Sequence, residues 1–121
     1  MNRSILQIYT ENDDEAFAFY KSVFNADVGF IDTDENGNVI HQELNVNGQA
    51  IAIGKIISNK TTGSTMQFCL QYNNNQKNAV QQIYNKLVKD SKIITDYGKL
   101  IFTDVGFELV DKYGVWWCIF C

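Results

Sequence analysis

Ser4–Phe24, SILQIYTENDDEAFAFYKSVF, and Met66–Lys89, MQFCLQYNNNQKNAVQQIYNKLVK, decide how this chain of 121 residues is to be read. In the first stretch a short apolar run, Ser4–Tyr9, is fit for a strand, and Asp13–Phe24 carries Ala16, Phe17, Phe19, Tyr20 and Phe24 at helical spacing. Asn12 or Asp13 can cap that helix, and Asp13, Asp14 and Glu15 put negative charge where the helix dipole favours it. In the second stretch Met66, Phe68, Leu70 and Tyr72 alternate with Gln67, Cys69 and Gln71 as in a strand. A helix over Gln76–Lys89 follows, with Ala79, Ile83, Tyr84 and Leu87 on one face. The same phrase is thus spoken twice, about sixty residues apart.

Working outward, each phrase leads into further strands. Val28–Thr33 and Val39–Val46 flank the turn residues DENGN, in which Asn36 and Gly37 supply positive φ. Asn47 and Gly48 make a second tight turn before an apolar strand over Ala50–Ile56. In the second half Lys92–Thr95 reads as a strand edge, and Phe107–Val110 and Val115–Phe120 as a hairpin across Asp111 to Gly114, DKYG. The polar run SNKTTGS, residues 58–64, reads as a linker between a module of residues 1–57 and one of residues 65–121. Neither module is large enough to bury a sheet face alone. The expectation is a single α+β domain in which two βαβββ modules form a cupped mixed sheet around a central cavity.

Bulk properties narrow the function classes. Hydrophobic residues at 45% and charged residues at 20% are ordinary globular values. A net charge of −4 and a pI near 4.8 argue against nucleic acid or an anionic membrane as partner. No apolar run approaches the ~20 residues of a membrane span. The opening MNRSILQIYTENDDE has no apolar stretch of signal-peptide kind, so a cytoplasmic location is expected. Three cysteines are an odd count, and their one close pair, Cys118 and Cys121, sits alone at the C-terminus, which fits reduced thiols rather than a disulfide or zinc framework. Glycines are scattered singly, and no phosphate-cradling loop is visible.

Three phrases in order resemble one family. Glu15–Ala26, EAFAFYKSVFNA, is similar to its first-helix phrase "EAxxFYkxvFgA". His41–Leu44, HQEL, followed by Asn47 and Gly48, resembles its "HaEL…g" strand and turn. Asp111–Trp117, DKYGVWW, resembles its terminal "DpfGvrW" hairpin. On these the chain resembles the vicinal oxygen chelate superfamily (glyoxalase I, bleomycin- and fosfomycin-resistance proteins, extradiol dioxygenases), and within it the PhnB-like branch. The resemblance implies the glyoxalase-like fold and a homodimer. It does not fix a chemistry, because this scaffold carries many. Where the branch has a Trp-Gly-Asp phrase, this chain has Phe102, Thr103 and Asp104.

Metal-dependent members of that superfamily take His, Gln or Glu ligands from four strands. The matching positions here fall at or near Ser4, among Ile51, Ala52 and Ile53, and at Gln67 and Cys118. One amide and one thiol, with no carboxylate or imidazole, suit a hard divalent cation poorly, so no metal and no other cofactor is expected. The lone His41 shares a strand face with Glu43, as a general base and its orienting carboxylate would. The plainer reading of the pair is a hydrogen-bonded part of the strand pattern.

Gln67, Cys69 and Cys118 are expected on the cavity side, with Trp116, Phe120 and Phe102 as an aromatic wall. Cys118 reads as a small buried hydrophobe rather than a nucleophile, since no Arg or Lys lies near it in sequence. These residues favour a metal-independent protein that binds an unknown small molecule. The alternative is a metal-dependent lyase, isomerase or dioxygenase-type enzyme using His41 and Glu43. A dimer whose cavity is filled by side chains is the third possibility.

Overall fold

The computed structural model describes residues 1–56 and 65–121, so the expected linker, residues 58–64, lies outside the described residues. The described chain falls into two compact units, one within Met1–Lys60 and the other within Thr61–Cys121. In the first, β1 (Ile5–Thr10), α1 (Asp13–Val23), β2 (Asp27–Thr33), β3 (Val39–Val46) and β4 (Gln49–Lys55) form a sheet of order β1-β4-β3-β2. In the second, β5 (Phe68–Gln71), α2 (Lys77–Leu87), β6 (Lys92–Leu100), β7 (Thr103–Val110) and β8 (Trp116–Phe120) form a sheet of order β5-β8-β7-β6. The first strand of each unit runs parallel to the last, and the other pairings are antiparallel. The α+β plan of two βαβββ modules is therefore present. The sheet itself is two open four-stranded sheets, one in each unit, because every ladder pairs strands of the same module.

Helix α1 begins where its acidic first turn meets the positive end of the helix dipole. Asn12 stands at the cap, but its side chain donates to Glu15 Oε2 at 2.7 Å instead of capping the backbone. The helix packs on β4 and β1 and buries Ala16, Tyr20 and Val23, while Phe17 and Phe19 are half-buried. Leu44, Ile51 and Ile53 of the sheet complete that core, each such side chain contributing roughly 1.5–3 kcal/mol. Helix α2 is launched from a single 3-10 turn, Asn74–Gln76, by a capping box: the Asn73 backbone N–H donates to Gln76 Oε1 at 2.9 Å. It packs on β7 and buries Val80, Ile83 and Leu87, in a core with Phe107, Leu109, Trp117 and Ile119.

One turn differs in detail from expectation and the other matches it. In DENGN only Gly37 has positive φ, because Asp34 Oδ1 takes the backbone N–H groups of Asn36 and Asn38, both at 2.9 Å, and shapes the loop itself. At Asn47 and Gly48 both residues are left-handed, as the tight hairpin requires. The strand expected over Lys92–Thr95 continues to Leu100, and β7 starts at Thr103 rather than Phe107. The extra length hides in an irregular β6–β7 ladder with three register shifts. Gly106 sits at its centre, where a Cβ would come within 2.7 Å of Phe120 Cβ and 2.8 Å of Leu100 Cδ1. Among the described residues no helix is long and apolar enough to cross a membrane.

Candidate functional site

His41 and Glu43 lie two residues apart on β3 and project from the face opposite Leu44 and Ile51. Glu43 is opposite Ala52 on β4, which is opposite Gln7 on β1. Arg3, just before β1, reaches back along this face and forks onto the carboxylate, Nη1 to Oε2 at 2.7 Å and Nη2 to Oε1 at 2.9 Å. His41 Nε2 meets the same Oε1 at 2.7 Å. Glu43 is 2% exposed, yet the Arg3 hydrogen bonds outweigh the cost of burial and, with help from His41, hold its carboxyl down at about 2. Phe30 of β2 tilts over the His41 ring at 6.1 Å. A depression of about 410 Å³ bounded by Arg3, Gly29, Phe30 and Asn45 opens beside the pair.

The second sheet repeats the arrangement with other partners. Glu108 of β7 is opposite Cys118 of β8, which is opposite Cys69 of β5. Gln67 Nε2 donates to Glu108 Oε1 at 3.2 Å, and Thr95 Oγ1 to Oε2 at 3.1 Å. The Cys69 thiol donates to Gln67 Oε1 at 3.5 Å. Cys118 is buried, and desolvation, with Cys69 and Glu108 beside it, pushes its thiol up to about 12. A thiol raised in this way stays in its neutral, unreactive form at physiological pH.

Trp116 is half-buried with an indole N–H that finds no acceptor among the described residues, whereas Trp117 is wholly buried and donates to Asp111 Oδ2 at 2.8 Å. Phe102 is exposed in the β6–β7 turn and meets Phe120 edge to face at 4.9 Å.

Of the residues expected around a cavity, His41 and Glu43 therefore meet in the first unit. Gln67, Cys69 and Cys118 cluster in the second, and Phe102 and Phe120 pair there. Arg3, Thr95 and Glu108 were not among the expected residues. A signal for Glu108 was available: GFEL at residues 106–109 echoes HQEL at residues 41–44, Glu-Leu against Glu-Leu. Arg3 carried none, because its partner lies forty residues along the chain (43 − 3 = 40).

The superfamily's metal can be tested against these donors. Ser4 is exposed and outside β1, and Ile51, Ala52 and Ile53 offer no ligand atom. The Gln67 amide is engaged with Glu108, and the Cys118 thiol is held protonated. Among the described residues no group of three or more His, Cys, Asp or Glu side chains is placed to hold an ion. The residues present do not fit a divalent cation.

Two four-stranded sheets of identical order, each with its helix, define a protein of the glyoxalase-like class. No family model matches the sequence, and no curated protein does. Solved structures do. The PhnB protein of Bacillus cereus is 27% identical, with a TM-score of 0.74 over 98% of this chain and 96% of that one. A glyoxalase/bleomycin resistance protein/dioxygenase family enzyme from Burkholderia phytofirmans is 16% identical, with a TM-score of 0.70 over 96% and 94%. FosX, the fosfomycin resistance protein of Listeria monocytogenes, crystallised with Mn(II) and sulfate, is 12% identical, with a TM-score of 0.67 over 98% and 87%. These neighbours are vicinal oxygen chelate proteins, and this chain is similar to them in fold.

Proposed function

We propose that this chain is a metal-independent small-molecule-binding protein of the vicinal oxygen chelate superfamily, working as a homodimer in the cytoplasm. The occupancy of two strand carboxylates, one in each unit, carries the reading. Glu43 gives both oxygens to protein donors, Arg3 and His41, and Glu108 gives both to Gln67 and Thr95. Acidic side chains whose oxygens are engaged in this way are poorly free to take a metal but are good rigid supports for polar groups around a ligand. Three free cysteines suit a reducing compartment. The β2–β3 hairpin leaves Val28, Phe30, Ile31, Val39 and Ile40 exposed, apolar surface of a kind that a second copy can cover.

Elemental analysis of untagged protein purified without chelator, paired with a thermal-shift screen of small organic ligands, tests the reading. The expected result is metal far below stoichiometric and at least one ligand whose stabilising shift survives EDTA. Near-stoichiometric zinc, nickel, manganese or iron would overturn it.

An enzyme reading has one observation in its favour. The 2.7 Å contact from His41 Nε2 to Glu43 orients the imidazole and leaves Nδ1 as its other ring nitrogen, the geometry of a positioned general base. On that reading His41→Ala abolishes a lyase, isomerase or dioxygenase-type turnover while circular dichroism and melting stay unchanged. Unchanged turnover in that variant removes His41 from any mechanism.

A further inference from the structure

The first sheet is not laced along its whole length. β3 and β4 pair from Val46–Gln49 up to Glu43–Ala52 and stop there. β4 stays paired with β1 as far as Lys55, and β3 with β2 as far as Val39. Beyond Glu43 and Ala52 the sheet therefore parts into two ribbons. A cleft of about 410 Å³, within the range of small-ligand sites, is lined by residues 39–42 of β3 and 53–55 of β4. Asp13 at the start of α1 also lines it.

Gln42 is the telling residue of this cleft. It is 7% exposed, it lines the cleft, and its amide nitrogen has no hydrogen-bond partner among the described residues. A buried donor left unmade is a cost to the fold unless an acceptor arrives from outside. Two opposite charges, Asp13 and Lys55, line the same cleft, and no ion pair joins them among the described residues. Val39, Ile40 and Ile53 supply apolar wall. A neutral apolar ligand would leave Gln42 unmatched, a simple anion would leave Asp13 facing it, and a simple cation would face Lys55. A small molecule that carries both charges and an apolar part satisfies all of them together.

We propose that this cleft binds a small zwitterion with an apolar side chain, of the aliphatic amino-acid type. Its carboxylate takes the Gln42 amide and Lys55, its ammonium takes Asp13, and its side chain lies on Val39, Ile40 and Ile53. The proposal rests on the small-molecule-binding reading above and names the ligand class and the place.

Isothermal titration of the full chain with L-leucine, 4-methylpentanoate and 3-methylbutylamine tests it, because the last two each lack one charge of the first. Leucine is expected to bind at least roughly tenfold more tightly than either, with Gln42→Leu weakening it by about tenfold. Lys55→Met should reduce the advantage of leucine over the amine, and Asp13→Asn should abolish its advantage over the acid. Equal binding of all three probes, or leucine binding untouched by Gln42→Leu, overturns the proposal. No leucine heat alongside a thermal shift with some other ligand overturns the proposal and leaves the binding reading standing. No response to any ligand overturns both.

Discussion

Burial alone raises the pKa of a carboxyl or a thiol, and Cys118 obeys: desolvation, with Cys69 and Glu108 beside it, pushes its thiol up to about 12. Glu43 is just as buried and moves the other way, from the usual 4.5 to about 2, because Arg3 donates twice to it. The sign follows from linkage. A carboxyl whose folded pKa lies below its unfolded value binds protons more readily when unfolded. Its contribution to stability is therefore complete above pH 4.5 and is lost as pH falls towards about 2. Glu43→Gln cannot lose what it never had. Urea unfolding should find the variant less stable than wild type at neutral pH, with the gap closing between pH 4.5 and about 2. Parallel stability curves across that window would mean that the Arg3–Glu43 pair contributes nothing in solution. Arg3 is half-exposed, which keeps the expected gap modest.

At the scale of elements, the DKYG turn shows why one phrase was legible. Asp111 Oδ1 accepts the backbone N–H of Tyr113 at 2.9 Å and of Val115 at 3.1 Å, and Oδ2 accepts the buried Trp117 indole at 2.8 Å. One short acidic side chain thus closes the β7–β8 hairpin and satisfies the largest core residue. Only Asp followed by Gly at the fourth position does this, so the pattern surfaces in sequence. Asp111→Ala should cost about 3 kcal/mol in chemical denaturation, since it orphans a buried donor and removes charge-assisted bonds. A cost within about 0.5 kcal/mol, the usual range for surface substitutions, would refute that account.

β6 was half legible for the opposite reason. It lies at a sheet edge, its register shifts three times against β7, and Asp96, Gly98 and Lys99 interrupt the alternation that marks a strand. The split between β3 and β4 was not legible at all. Which residues of adjacent strands pair, and where pairing stops, is a tertiary property with no periodicity of its own.

At the scale of the whole molecule, a sequence repeated twice has yielded two units of one topology whose chemistry has diverged. Glu43 keeps an arginine and a histidine, and Glu108 an amide and a hydroxyl. Both sheets remain open, and β2 ends the first of them as an edge strand carrying Val28, Phe30 and Ile31 exposed. Such an edge is an aggregation hazard unless something regular covers it. The most economical cover is a second copy, because a two-fold axis buries the same patch twice. We therefore expect a homodimer, with a mass twice 13.8 kDa in sedimentation equilibrium at micromolar concentration. Ile31→Asp should return the protein to 13.8 kDa, because symmetry turns one introduced charge into two that are buried together. Wild-type protein sedimenting at 13.8 kDa would remove the dimer and leave the β2 edge in need of another explanation. A variant that stays dimeric would move the interface away from β2.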